Sequence, residues 1–354
     1  MVNKQKQKQA SDVRGAVAFG SGLAATLLLL AAFQGSVPAL LLAYLSPLPL
    51  MIATIGFGHV TGLGAVLAGF ITLVALLVAA NPQDVSVATF AGAGVNGILF
   101  LICEGLPSWW LARVASVSRS MPILPFLPEP PPDTVEEGSR LSLVIVTAAA
   151  FAFLVVGGTL ATMVLGHEDF AALVDKVAAN IRPVLKQEAG ADLLHANAID
   201  SFARFLATAL PAIAASVIFV IYLVNLWLAG RVAQISQRLQ VPWPNVAREF
   251  RVPRLLALVF VAAAGLIFAG GAIGLVASLA ASVLGVAFAL QGLAVIHVVT
   301  LGLRLRNNLL FLVYLFVVPL MPWSLAPFTL LGLLEAGFSL RDRKDSVAIS
   351  PKMN

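Results

Sequence analysis

Long apolar runs recur along the chain, each bounded by a short polar or basic segment. Residues 15–33 (GAVAFGSGLAATLLLLAAF) carry no charge over 19 positions. At 1.5 Å per residue that gives roughly 28 Å of helix, close to the thickness of a hydrocarbon core. A secretory signal has a shorter apolar core, usually ~7–15 residues, so 15–33 reads as an uncleaved first span. Further spans are expected at 37–58, 62–80, 87–111, 141–165 and 208–230. Two more fit into 254–300, and 307–340 holds a last, short pair divided at Pro322-Trp323.

Local chemistry modifies this pattern. Pro38 suits a helix start, where its missing N–H costs nothing. Pro47 and Pro49, in SPLP, fall inside the second span and each remove an i→i−4 bond, so that helix is expected to be kinked or broken. In lipid a break is tolerated only where protein or water satisfies the freed carbonyls. Trp109, Trp110 and Arg113 suit an interfacial anchor at the end of the fourth span. Residues 114–140 are rich in proline and read as a stiff, extended spacer, with a docking peptide as the alternative. Within 166–206, Phe170, Leu173, Val177, Ile181 and Val184 recur at three- and four-residue steps. Leu194, Ile199, Phe202 and Phe205 form a weaker stripe. One or two amphipathic helices at the membrane surface are expected there, or a lid over a cavity.

Composition narrows the class. Of 354 residues 60% are hydrophobic and 11% charged, against ~25% charged in a soluble domain. An ordinary soluble domain, a disordered chain and a disulfide scaffold are excluded, since Cys103 is the only cysteine. The fold class is all-α, a polytopic helical membrane bundle of about ten spans, or eight with a re-entrant last hairpin. The net charge of +5 reflects basic loops on one side of a membrane, and no nucleic acid is expected as a partner. With the N-terminus inside and alternating spans, 18 of the 22 Lys and Arg fall on the inner side. Lys176, Arg182, Lys186 and Arg204 fall outside. Both termini are therefore expected in the cytoplasm. The divisions are a tail at 1–14, a four-span bundle at 15–113, the linker at 114–140 and a fifth span at 141–165. An extracytoplasmic amphipathic segment at 166–206, a span bundle at 207–340 and a cytoplasmic tail at 341–354 follow.

No catalytic signature is present: there is no HExxH, GxSxG or phosphate loop, and no enzyme is expected. Gly92, Gly94 and Gly97 form a GxGxxG string, but inside a span and without the acidic residue a dinucleotide site needs. Gly92 and Gly97 instead suit close helix packing, as do Gly56, Gly58, Gly62, Gly64 and Gly69 near the second and third spans. Gly285 and Gly292 lie on a small-residue stripe of the eighth span. Only Glu104 and Glu335 are acids inside spans, and such groups are functional candidates. Counting 1.5 Å per residue from the nearest inner arginine places Glu335 at roughly 9 Å, His297 at roughly 10 Å and Glu104 at roughly 14 Å. His59 lies near the same edge. Together with Asn96 and Gln291 they suit a polar pathway for a proton, ion or small substrate. Alternatively, Glu335 pairs with a basic side chain such as Arg304, and each His bonds a neighbour. Gln291 and His297 are about 120° apart on their helix and form no ligand pair. No metal-ligand spacing occurs, no cofactor is expected, and Cys103 suits a buried inert thiol.

LQGLAVIH at 290–297, the apolar hairpin after it, LLGLLEAGFSLRDR at 331–343 and NLWLAGRVAQISQRLQVPWPN at 225–245 resemble the YybS-like family of bacterial inner-membrane proteins. That family has no established activity to carry over. It usually places an acid just before the final arginine, whereas Leu340 precedes Arg341 here. YLSPLPLMIATIGFGHVTGLGAVLAG at 44–69 is more distantly similar to energy-coupling-factor S components and to MreD-type proteins.

Two functions fit these features. A transport-related or small-molecule-binding component accounts for the broken span, the glycine patches and the polar set. A non-catalytic scaffold for the envelope or division would use the loops at 114–140 and 231–254 toward protein partners or anionic lipid. The topology makes a direct prediction. A reporter fused after residue 185 is expected outside the cell membrane, and a cytoplasmic signal there overturns the map.

Overall fold

The computed structural model describes residues 2–80, 86–116, 139–165, 170–189, 196–239, 241–321 and 323–342. The spacer residues 117–138 and parts of 166–206 thus lie outside the described residues. In chain order the α-helices are α1 (Val2–Leu30), α2 (Val37–Ala43), α3 (Pro47–Phe57), α4 (His59–Ala79), α5 (Val87–Phe100) and α6 (Leu106–Ser116). Then follow α7 (Ser139–Leu165), α8 (Phe170–Ala189), α9 (Ala196–Ile235), α10 (Val246–Glu249), α11 (Arg254–Leu266), α12 (Gly271–Val299), α13 (Arg306–Val317) and α14 (Leu325–Phe338). No strand occurs among the described residues. The protein is an all-α membrane bundle, as its hydropathy requires.

Among the described residues seven segments are long and apolar enough to cross a bilayer: Ser11–Gln34, Val37–Phe57, His59–Ala79, Val87–Ser116, Arg140–Thr162, Asn197–Ile235 and Gly271–Val299. Three shorter apolar helices accompany them, at Arg254–Ala269, Arg306–Val317 and Leu325–Phe338. The last two have 12 and 14 residues, roughly 18 and 21 Å of helix, short of a ~30 Å hydrocarbon core. Large exposed side chains such as Phe33, Ile71, Phe268 and Phe311 suit contact with lipid.

The chain divides into two compact units. The first takes residues 1–151 and 220–244. There α1 packs on α4, and a Cβ on Gly22 would overlap the Ala65 carbonyl oxygen, so the two backbones nearly touch. Thr26 donates to the Gly69 carbonyl at 3.0 Å across this crossing. Ala25, Leu50, Ala53, Ala65, Val66, Leu73 and Phe100 form the core beside it. Gly58, at φ 96°, lets α3 end and α4 restart at the next residue. Gly97 faces Phe70 and Val74 closely. Gly92 was expected on the same packing surface, but it has open space where a side chain would stand, because α5 turns that face outward.

The second unit takes residues 152–219 and 245–354. Its centre is the crossing of α12 and α14. Gly292 lies against the backbone of Phe328, and Gly332 against that of Phe288. A Cβ on either would overlap a carbonyl oxygen. Gly285 meets Phe260 at ordinary contact and accepts a hydrogen bond from Thr329 at 3.0 Å. α8 is amphipathic as expected and packs on the first turns of α9 through Ala178, Ala203 and Ala207. Arg182 pairs with Asp200, and Arg204 with Asp175 at 2.6 Å, along this hairpin. The stripe expected as a second surface helix, with Ile199, Phe202 and Phe205, is instead the beginning of α9. That helix has 40 residues, roughly 60 Å, about twice the hydrocarbon thickness.

The glycine contacts predict opposite effects for two substitutions. Gly332→Val forces α12 and α14 apart and is expected to destabilise the purified protein by ~1–3 kcal/mol or more. Gly92→Ala, open and inside a helix, is expected to leave the thermal midpoint unchanged or slightly raised. Thermal unfolding in detergent checks both.

Candidate functional site

In the first unit, three prolines deprive three carbonyls of their helical partners. Pro47 has no N–H for the Ala43 carbonyl, which accepts instead from the Ser46 amide at 3.0 Å and from Ser46 Oγ at 2.7 Å. Pro49 has none for Leu45, whose carbonyl accepts from the Leu48 amide at 3.0 Å. That shift takes the Leu48 amide from its usual partner, the Tyr44 carbonyl. Asn225 Nδ2 then donates to Tyr44 at 2.8 Å. The expected break in the second span is therefore real: α2 ends at Ala43 and α3 starts at Pro47.

The fourth span is interrupted as well, by a π-turn at Leu101–Gly105 between α5 and α6. Such turns are frequent at functional sites. Pro107 has no N–H for the Cys103 carbonyl, and the Tyr222 hydroxyl donates to it. Tyr222 and Asn225 are three residues apart on α9 and so share a face. One face of α9 thus serves both interrupted spans.

Glu104 lies in the π-turn. It is 8% exposed, and its Oε1 has no hydrogen-bond partner. The Ser46 hydroxyl, at the break, is within hydrogen-bonding reach of its carboxyl. Tyr222 is close enough to feel its charge. Ser108, four residues on, is fully buried with Oγ unpartnered, and Asn225, 1% exposed, leaves Oδ1 unpartnered. Among the described residues no basic side chain pairs with Glu104. The break, the π-turn and α9 therefore surround a buried carboxyl with polar atoms and no cation.

Glu335 is the opposite case. It is paired with Arg341 at 2.7 Å, both side chains being 2% exposed. The partner is Arg341 rather than Arg304, because Ser339, at φ 50°, ends α14 in the left-handed region and turns the chain back. The Arg341 amide also donates to Glu335 Oε2 at 3.2 Å. Its guanidinium donates to the carbonyls of Ala247 at 2.9 Å and Phe250 at 3.0 Å. Gln291 joins the same construction. Its Oε1 accepts from the Val252 amide, and its Nε2 donates to Gly332 at 3.0 Å. Nearby, Arg251 forms a bidentate pair with Asp342, and those hydrogen bonds hold the Asp342 carboxyl below the usual range.

The candidates divide between the two units. Glu104 and His59 belong to the first unit; Glu335, Gln291 and His297 belong to the second. His59 is exposed, and its carbonyl accepts from Trp109 Nε1 at 2.8 Å. His297 bonds the Tyr314 hydroxyl at 2.8 Å. Asn96 is exposed and donates to the Gly92 carbonyl one turn back, at 2.9 Å. Arg113, expected at the interface, is buried because α6 packs on α3 and α4. Cys103 is a half-buried free thiol. No group of three or more His, Cys, Asp or Glu that could hold a metal ion occurs among the described residues. Ser46, Ser108, Tyr222 and Asn225 do not stand out in the sequence, and Arg341 stands out there only as the final arginine of the family pattern and not as the partner of Glu335. The pairing of a mid-span amide and phenol one turn apart in IYLVN was the signal for two of them.

Residues 135–335 match a family described as a predicted membrane protein, DUF2232. No curated protein and no solved structure matches the chain.

The buried pair gives the prediction for this region. Arg341→Met leaves Glu335 buried and unpaired and is expected to cost about 3–5 kcal/mol. The double variant Glu335→Leu with Arg341→Met is expected to recover part of that loss. Denaturant or thermal unfolding of the purified variants measures the difference.

Proposed function

We propose that this chain, which belongs to the DUF2232 family of predicted membrane proteins, is a transport-related component that binds a small molecule within the membrane. One observation carries the reading. Glu104 is a buried carboxyl with no basic partner among the described residues, set where two spans are interrupted. Burying such a group is costly, and a fold that needed only stability could replace it with an apolar residue. Discontinuous helices facing each other are a recurrent way of building substrate sites at membrane depth. Glu335 and Gln291 serve instead to hold the second unit together.

The division of 18 Lys and Arg against 4 supports both termini in the cytoplasm, and the likeness to bacterial inner-membrane proteins supports that membrane as its place. The scaffold reading has less support. Part of its expected docking loop, 231–254, is engaged by its own chain: Arg341 holds Ala247 and Phe250, and Arg238 lies over the Phe57 ring at 4.3 Å.

Native mass spectrometry of the purified protein tests the reading. The wild type is expected to retain a non-lipid small molecule. Glu104→Gln is expected to insert normally but to hold that molecule roughly 10- to 100-fold more weakly, the loss of one hydrogen bond to a charged group. Equal retention by both proteins, or none by the wild type, counts against it.

A further inference from the structure

Around Glu104 the hydrogen-bond donors of Ser46, Tyr222 and Asn225 are engaged while buried acceptors are open. Ser46 gives its hydroxyl proton to the Ala43 carbonyl at 2.7 Å. Asn225 gives its two amide hydrogens to Tyr44 and Ile221, both at 2.8 Å. This fixes the amide orientation, since the flipped form would set its oxygen against two carbonyls. Tyr222 gives its proton to Cys103. Three buried atoms are left without partners: Glu104 Oε1, Asn225 Oδ1 and Ser108 Oγ. Asn225 Oδ1 only accepts, Glu104 Oε1 only accepts when its carboxyl is ionised, and Ser108 brings two lone pairs with its single O–H.

These atoms share one neighbourhood. Ser46 reaches Glu104 and lies two residues from Tyr44, which Asn225 holds. Tyr222, one turn before Asn225, lies within electrostatic range of Glu104. Ser108 follows Glu104 by four residues. The geometry points to a small monocation, an alkali metal ion or a primary ammonium group, as what this cluster binds.

The charge arithmetic selects it. An anion would meet a like charge and open lone pairs, with the Ser108 hydroxyl as the single unengaged donor of the cluster. A neutral donor would leave the carboxylate uncompensated in hydrocarbon. A divalent ion would carry a surplus charge into the same place, with one carboxylate where hard divalent sites gather several oxygens. A single positive charge neutralises Glu104 and satisfies the open acceptors together.

The inference rests on the binding reading above and names its ligand class. The test uses full-length protein at constant ionic strength, with bulky N-methyl-D-glucamine chloride as the reference salt. Thermal unfolding is followed while NaCl, KCl or methylammonium chloride replaces it. At least one is expected to raise the midpoint saturably, because a ligand of the folded state stabilises as its concentration exceeds Kd. The metal and ammonium arms distinguish the two sources of the charge. Glu104→Gln is expected to abolish the response. Ser108→Ala, which leaves the donated bonds of Ser46, Tyr222 and Asn225 intact, is expected to shift the half-saturating concentration upward several-fold, and it keeps the test open if the first variant misfolds. Identical midpoints in all four salts, or an undiminished response in Glu104→Gln, overturn the inference. A retained solute that depends on Glu104 without any cation effect would do so while leaving the binding reading in place.

Discussion

Proline inside a membrane helix removes an amide hydrogen, and hydrocarbon supplies no water to replace it. The first unit is organised by that shortage. Ser46 and Leu48 resolve two of the freed carbonyls locally, by tightening the chain at the break. The Tyr44 and Cys103 carbonyls lie beyond local help and depend on α9. The demand fixes where α9 must stand and which of its faces turns inward. It also concentrates polar atoms at one place, and Glu104 can be buried there because the surroundings are already polar.

The second unit meets the same constraint differently. Arg341 carries a full charge into a site that is 2% exposed, and the fold answers with a carboxylate and backbone carbonyls. Gln291 does for the Val252 amide and the Gly332 carbonyl what Arg341 does for Ala247 and Phe250. The close approach of α12 and α14 through Gly292 and Gly332 brings these groups within reach. Packing by small residues and satisfaction of polar groups are thus one arrangement.

The helical membrane class was legible in hydropathy alone, because in lipid an apolar run long enough to span has no other stable backbone form. The break at Pro47 and Pro49 was legible because proline's missing donor is a local property. Glu104 stood out because acids inside spans are rare. What surrounds it did not, since Tyr222 and Asn225 meet partners 119 and 181 positions away. Pro107 went unread although its chemistry is that of Pro47. A basic partner for Glu335 was legible, but that it is Arg341 and not Arg304 was not, for a backbone reason: the positive φ at Ser339 reverses the chain, and no glycine marks it. Gly92 and Gly97, five apart in one apolar helix, look alike in sequence, yet only Gly97 meets a neighbour.

The dependence on α9 has a consequence for how the protein is made. Synthesis proceeds from the N-terminus, so the second and fourth spans exist long before residues 222 and 225 leave the ribosome. Until then the Tyr44 and Cys103 carbonyls lack their final donors, and water, lipid headgroups or the insertion machinery must serve them. The first four spans can therefore enter the membrane early without closing into their finished form. The first unit is completed only when a segment from the middle of the chain arrives, more than a hundred residues after α6 has ended.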